Sequence, residues 1–291
     1  MGSALLFFTS SSGHGQFQKK KEKVIKRLSR TFSPLDIYES KTKEDGETKL
    51  QEAMSLYDAI LIIGGDGTFH TAVNIAAHYE RPPILGYINN GTLGDVGRSY
   101  GVSSSLSKAL RIIEEGYVLS SDLVLANEEA FAYMGAIGAY SGISYQTKRN
   151  RKKHFHRFSY YFAAMKEAFI PRKVNYSIEV NSTKIEGTSP FLMVLNGCYV
   201  GGFPINKKAS FHDGKAELYI TPKGWFNGLL PYFFHPKKIQ RIPFTEATIS
   251  VDEETVWCLD GEKSFSGPVR LKVLPSKIRI FVSKKVYEQQ K

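Results

Sequence analysis

Apolar positions in this chain follow two rhythms, one suited to buried strands and one to helices. The run Ala59-Ile60-Leu61-Ile62-Ile63 is unbroken and rich in Ile, which predicts a strand covered on both faces. It leads directly into Gly64-Gly65-Asp66-Gly67-Thr68, after which Phe69, Ala72, Val73, Ile75 and Ala76 recur at roughly helical spacing. Residues 4–8 predict a first strand, followed by a basic amphipathic helix through Leu28 with Val24, Ile25 and Leu28 on its apolar side. Residues 35–38 predict a second strand and 49–57 a second helix. Pro82-Pro83 stops the helix after the glycine turn, residues 84–88 predict a further strand, and 104–115 a further helix. This alternation implies parallel βαβ units, with ligands expected beyond the carboxyl ends of the strands.

Past Leu123 the rhythm changes. Helical periodicity survives at 159–169, while short strand-like runs dominate at 174–180, 191–195, 216–220, 247–251, 269–274 and 278–282. Turn residues separate them at intervals typical of an antiparallel sandwich. The expected division is therefore 1–123 as an α/β domain and 124–291 as a β-sandwich domain.

Composition narrows the class. A chain of 291 residues with 42% hydrophobic and 23% charged content reads as soluble and globular, and it can bury a full core. No apolar run approaches a membrane span, and residues 1–9 lack the basic flank of a signal peptide. Two cysteines, Cys198 and Cys258, are too few for a disulfide framework and fit a reducing, cytoplasmic setting. The net charge of +11 points to an anionic partner. Basic runs at 19–23 and 148–157 are local, and the second has Phe155, Phe158, Tyr160 and Tyr161 beside it, which suits peripheral contact with an anionic membrane. No recognised nucleic-acid module accompanies the charge, so nucleic acid is not expected as a partner.

The turns carry the chemistry. A tight glycine turn opening a helix lets backbone N–H groups and the helix dipole meet a phosphate. Asp66 inside that turn would repel phosphate unless a divalent cation lay between them, so the motif suggests Mg²⁺ with ATP. Asn89-Asn90-Gly91-Thr92-Leu93-Gly94-Asp95 is a second such turn, expected to open on the same sheet edge. Asp122 stands at the change of rhythm. Further on come Asn196-Gly197 with Gly201-Gly202, then Asp213-Gly214, then Asp260-Gly261-Glu262, whose two carboxylates suit acid–base work. Asp-Gly turns are common hairpin connectors, and taken singly each of these later turns reads as structural rather than chemical.

In this order, and over nearly the whole chain, these motifs resemble the diacylglycerol kinase catalytic-domain family, which includes soluble bacterial lipid kinases and the sphingosine and ceramide kinases. The resemblance implies an α/β, NAD-kinase-like first domain, a β-sandwich second domain, an ATP cleft between them, and a final segment packed back on the first domain. It implies lipid phosphorylation, most simply of diacylglycerol to phosphatidic acid, and a homodimer is common in the family. By position, Asp260 matches the general base and Glu262 its acidic partner. Asp66, Asp95 and Asp122 match carboxylates that organise the catalytic Mg²⁺, and Asp213 matches a structural Mg²⁺ site. Ser12, Gly64, Gly65, Gly67, Thr68, Gly91 and Thr92 are the expected nucleotide contacts; Thr68 and Thr92 could equally cap helix starts. Two places depart from the family pattern. Thr9-Ser10-Ser11-Ser12-Gly13 keeps only the Ser-Gly end of the opening turn, and the second turn has Asn89 where Pro is usual and Gly94 where Asn is usual. An NAD kinase shares the first motif and resembles the 84–94 stretch, and a non-catalytic nucleotide-binding regulator at the membrane would also suit the altered turns.

Overall fold

A computed structural model describes residues 1–9, 17–91, 94–138, 173–206, 209–222 and 236–290. The expected helix at 159–169, the basic run at 148–157, Ser12 and Thr92 lie outside the described residues. The apolar run at 59–63 is strand β3 (Ala59–Gly64), buried at every position. Before it come β1 (Ala4–Thr9), a short 3-10 turn, α1 (Lys21–Leu28), β2 (Leu35–Ser40) and α2 (Lys43–Ala53). After it come α3 (Asp66–Ala76), β4 (Ile84–Asn89), α4 (Asp95–Ser99) and α5 (Leu106–Glu115). The strands pair in parallel in the order β2-β1-β3-β4, with Ala4 opposite Ala59 and Gly64 opposite Asn89. That last register places the two glycine turns side by side at one sheet edge. Helices cover both faces, which is why β1 and β3 need no polar alternation.

Helix α2 begins earlier than the expected 49–57. Thr42 caps it, accepting the Asp45 N–H at 3.1 Å, and Glu44 and Asp45 occupy the first turn. Only Gly46, Leu50 and Ala53 are buried along α2, so the cap and the favourable acidic first turn set its start more than apolar periodicity does. The five-residue helix α4, in the second glycine motif, carries too few apolar positions to announce itself.

The second half contributes β5 (Val118–Ala126), β6 (Glu129–Phe131), β7 (Met134–Gly138), β8 (Val174–Val180), β9 (Thr183–Ser189) and β10 (Phe191–Leu195). It continues with β11 (Tyr199–Val200), β12 (Phe203–Pro204), β13 (Ala216–Ile220), β14 (Gln240–Phe244), β15 (Glu246–Ser250), β16 (Val256–Leu259), β17 (Glu262–Ser266), β18 (Val269–Phe281) and a final helix α6 (Lys284–Gln289). One six-stranded antiparallel sheet runs β14-β13-β10-β7-β16-β17. Strands β11 and β12 pair as a separate two-stranded hairpin, and the remaining strands extend the first sheet, β4-β18-β15-β8-β9, with β5 and β6 also attached through β18. The two sheets close on a shared core. Val124, Ile178, Ile249 and Leu271 come from one sheet; Ile137, Leu192, Leu218 and Trp257 come from the other, all buried. This is the antiparallel sandwich behind an α/β layer that the patterning predicts.

Residues 269–274 and 278–282 were expected as separate strands, but the first and most of the second form the single thirteen-residue strand β18. Its pairing with β5 shifts register between Leu274 and Ile278, where Pro275 withholds a ladder donor and Ser276 takes φ +50°. Before the shift it lies against β15; after it, Ile280 pairs with Leu85 of β4. The division at residue 123 falls inside β5. Among the described residues, no helix is long and apolar enough to cross a membrane.

Candidate active site

Gly65 is the N-cap of helix α3, and no side chain caps the helix. The Thr68 N–H turns back to Gly65 O at 3.1 Å, and among the described residues no side chain takes up the N–H groups of Asp66 and Gly67 at the head of this eleven-residue helix dipole. The second glycine turn lies directly against this one. A Cβ built on Gly91 would stand 2.7 Å from the Gly65 Cα, so the two backbones meet where no side chain fits. Gly64, Gly65, Gly67 and Gly91 are thus gathered at one spot, and Thr68 sits partly exposed in the first turn of α3. This edge has the geometry of a phosphate seat.

The second turn is held closed from within. Gly91 N–H donates to Asn89 Oδ1 at 2.8 Å, and Asn90 N–H to Gly64 O at 2.8 Å. Asp66 reaches across, its Oδ2 accepting the N–H groups of Gly94 at 2.9 Å and Asp95 at 3.3 Å. The Tyr87 hydroxyl lies 3.2 Å from both Asp66 Oδ1 and Asn89 Oδ1, with one proton to share between them. Although part of Asp66 stays exposed, desolvation of its carboxyl, reinforced by the nearby Asp95 charge, pushes its pKa up to about 6. Asp95 is buried and also raised, by desolvation, against the bonds it accepts from Gly201 N–H at 2.6 Å and Gly202 N–H at 2.8 Å. Arg98 Nη1 donates to Gly202 O at 3.0 Å, so α4 is pinned to the β11–β12 hairpin from two sides.

The 260–262 corner comes to the same helix from the antiparallel sheet. Asp260 takes φ +48°, a conformation Asp tolerates better than most residues. Its Oδ1 accepts the N–H groups of Tyr133 at 2.9 Å and Met134 at 3.0 Å. Its Oδ2 accepts that of Ala132 at 2.8 Å and stands 3.2 Å from His70 Nδ1 on α3. Burial works against a charged imidazole, but the Asp260 bond and the charges of Asp260, Glu262 and Glu129 outweigh it and raise the His70 pKa. Glu262, partly exposed at the start of β17, lies so near Gly67 that any side chain there would strike its carboxylate. Asn196 ties this corner to the sheet junction, its Nδ2 donating to both Asp122 O and Ala132 O at 2.9 Å.

Asp122 lies mid-strand in β5. Its Oδ1 accepts Ser276 N–H and its Oδ2 accepts Gly214 N–H, each at 2.7 Å, and desolvation raises its pKa with Asp213 adding to the effect. Asp213 is exposed, and its Oδ1 accepts Lys215 N–H at 3.1 Å. The four carboxylates expected to organise metal thus fall into two pairs, Asp66 with Asp95 and Asp122 with Asp213. Among the described residues, no three His, Cys, Asp or Glu side chains cluster to hold an ion. An Mg²⁺ that keeps its waters and binds substrate phosphates needs only one or two carboxylates, and Asp66, whose charged form is disfavoured by burial and by the nearby Asp95, fits that demand. Two participants escaped the sequence reading. His70 was findable because it lies four residues after Asp66 and so on the same helix face; Tyr87 carried no such signal.

Paired glycine turns thus meet at the carboxyl edge of a parallel sheet, beside an acidic corner delivered from an antiparallel sandwich. Residues 3–126 match the model of the diacylglycerol kinase catalytic domain. A diacylglycerol kinase of Staphylococcus epidermidis (strain ATCC 12228) is 26% identical over 297 residues, covering 99% of this chain and 94% of its own length. A solved diacylglycerol kinase from Bacillus anthracis superposes with a TM-score of 0.84 at 24% identity, over 98% of both chains. An NAD kinase from Archaeoglobus fulgidus, solved with ATP, superposes with a TM-score of 0.54 at 15% identity, over 99% of this chain and 96% of that one. At such identities the two structures speak for the fold alone.

Proposed function

We propose that this protein transfers the γ-phosphate of ATP to a lipid hydroxyl, with diacylglycerol as acceptor and phosphatidic acid as product. The observation that carries the reading is the meeting at α3 of the Asp66 turn and the 260–262 corner, marked by the His70–Asp260 contact at 3.2 Å and by Glu262 against Gly67. In-line phosphoryl transfer asks for positioning and charge neutralisation, and this meeting places an anion seat beside acidic and imidazole groups. The triphosphate lies at the start of α3 against Gly64, Gly65, Gly67, Thr68 and Gly91, with Ser12 and Thr92 as further nucleotide contacts. Mg²⁺, when bound with ATP, neutralises phosphate charge; Asp66 would hold it, with Asp95 behind. Asp122 and Asp213 form a second, peripheral place for a cation. The lipid is met at an anionic membrane surface, which the net charge of +11 favours, and the protein works as a peripheral, cytoplasmic enzyme, as a homodimer.

The deciding experiment incubates the protein with Mg²⁺ and labelled ATP against diacylglycerol, sphingosine, ceramide and NAD. Label in phosphatidic acid supports the reading. Label in NADP would replace it with an NAD kinase, and ATP binding without transfer to anything would replace it with a nucleotide-binding regulator.

A further inference from the structure

Asp260 is the residue that matching by position makes the base, yet its carboxylate is already occupied. Three backbone N–H groups and one imidazole nitrogen converge on its two oxygens at 2.8 to 3.2 Å. Its side chain is 0% exposed, whereas the His70 side chain is 10% exposed, so the pair reaches the outside through the imidazole. Resting on the phosphotransfer reading above, we infer that His70 takes the acceptor hydroxyl's proton and that Asp260 positions it.

The hydrogen-bond pattern assigns the tautomer. A carboxylate that accepts from all its other partners also accepts from His70, so the imidazole proton sits on Nδ1 and the lone pair on Nε2. That is the form a general base needs, with a buried carboxylate orienting the ring and stabilising the imidazolium that results. Placement agrees. His70 lies four residues beyond Asp66, one helical turn or about 6 Å from the phosphate seat, on the face that meets Glu262. The charged groups acting on the ring are Asp260, Glu262 and Glu129, all acidic, so a proton gained there is held in place.

In the step, the lipid hydroxyl oxygen bonds to the γ-phosphorus while the P–O bond to the β-phosphate breaks. That electron pair leaves on ADP. The hydroxyl proton passes to His70 Nε2 and from there to water.

The test follows lipid phosphorylation by the full chain from pH 5 to 9, with ATP affinity and thermal midpoint measured beside it. Compared are wild type, His70→Asn, His70→Gln, Glu262→Gln and Asp260→Asn. Asn at 70 keeps an amide donor for Asp260 but supplies no base, so it separates packing from proton transfer. Wild-type kcat should fall on the acid side around or above the ordinary imidazole pKa of about 6.5. His70→Asn and His70→Gln should lose about 10²- to 10⁴-fold in kcat, lose that limb, and keep ATP affinity and melting near wild type. Glu262→Gln should keep the limb, and Asp260→Asn should move it. Nitrogen NMR of labelled wild type should show the proton on Nδ1 above the limb. A His70→Asn enzyme that melts normally and retains full kcat overturns the inference. So does a limb that disappears in Glu262→Gln and persists in His70→Asn, which would make Glu262 the base. A wild type that binds ATP and phosphorylates no hydroxyl removes the parent reading and this one together.

Discussion

Four of the carboxylates singled out along the chain accept backbone N–H groups from a distant segment: Asp66 from 94 and 95, Asp95 from 201 and 202, Asp122 from 214 and 276, Asp260 from 132 to 134. A buried donor left without an acceptor costs about 1–3 kcal/mol. Asp260→Ala should therefore lower stability by several kcal/mol as well as stop transfer, read as a shifted urea midpoint; an unchanged midpoint would deny the carboxylate this structural part. Asp66 behaves differently with pH. Its folded pKa, about 6, exceeds the ordinary 3.8, so the folded protein holds a proton that the unfolded chain releases in that window. Protonation thus favours the fold as pH falls through about 6, while ionisation above it prepares the site for a cation. Mg²⁺-ATP should accordingly raise the melting temperature more at pH 7.5 than at pH 5.5, and equal rises would place the cation elsewhere. The acidic turns themselves were legible as residues. Their partners were not, because a pair of backbone N–H donors is brought to a carboxylate only by tertiary register and leaves no mark in local pattern.

At the scale of elements, the two glycine turns differ in what their backbones have left to offer. The first leaves the start of α3 uncapped, whereas the second spends its N–H groups on Asn89 and Asp66. The departures at 89 and 94 are a matched pair: Gly94 takes φ +65°, and any side chain there would strike Asn89 Nδ2. Gly94→Asn should weaken ATP binding at least tenfold, and adding Asn89→Ala should recover part of the loss; a double variant no better than the single would break the pairing. Gly91→Ala offers a harsher case, since its Cβ would meet the Gly65 backbone and not a side chain that could swing aside. Strands with unbroken apolar runs, β1, β3 and β10, were readable along the chain. Helix α2 was misplaced because its start is a matter of capping chemistry, and β9, exposed along most of its length, has no apolar run to find.

For the whole molecule, the decisive element is β18, which belongs to both halves of the larger sheet. Ile280, fully buried, pairs with Leu85 on one side and Leu119 on the other, so the strand beside β4 is supplied by the last part of the chain. Between its two pairing segments Ser276 donates to Asp122, and beyond it Gln290 Nε2 donates to Ala209 O at 3.2 Å beside the Asp213 turn. Local patterning reads this region as two strands because Pro275 interrupts the ladder, and nothing nearby in sequence says that both pieces serve one sheet. Ending the chain after residue 276 removes Ile278, Ile280, Phe281 and Val282 from the core around β4 and α5. Burying each such side chain contributes about 1.5–3 kcal/mol, and their combined loss rivals the roughly 5–15 kcal/mol that holds a typical domain folded. The truncated chain should show no cooperative thermal transition, although the glycine turns and Asp66 are all retained. A fragment of residues 1–117 should fail likewise, its β4 edge open and apolar. Cooperative melting of either piece, followed by circular dichroism, would mean that the α/β layer stands without its final strand.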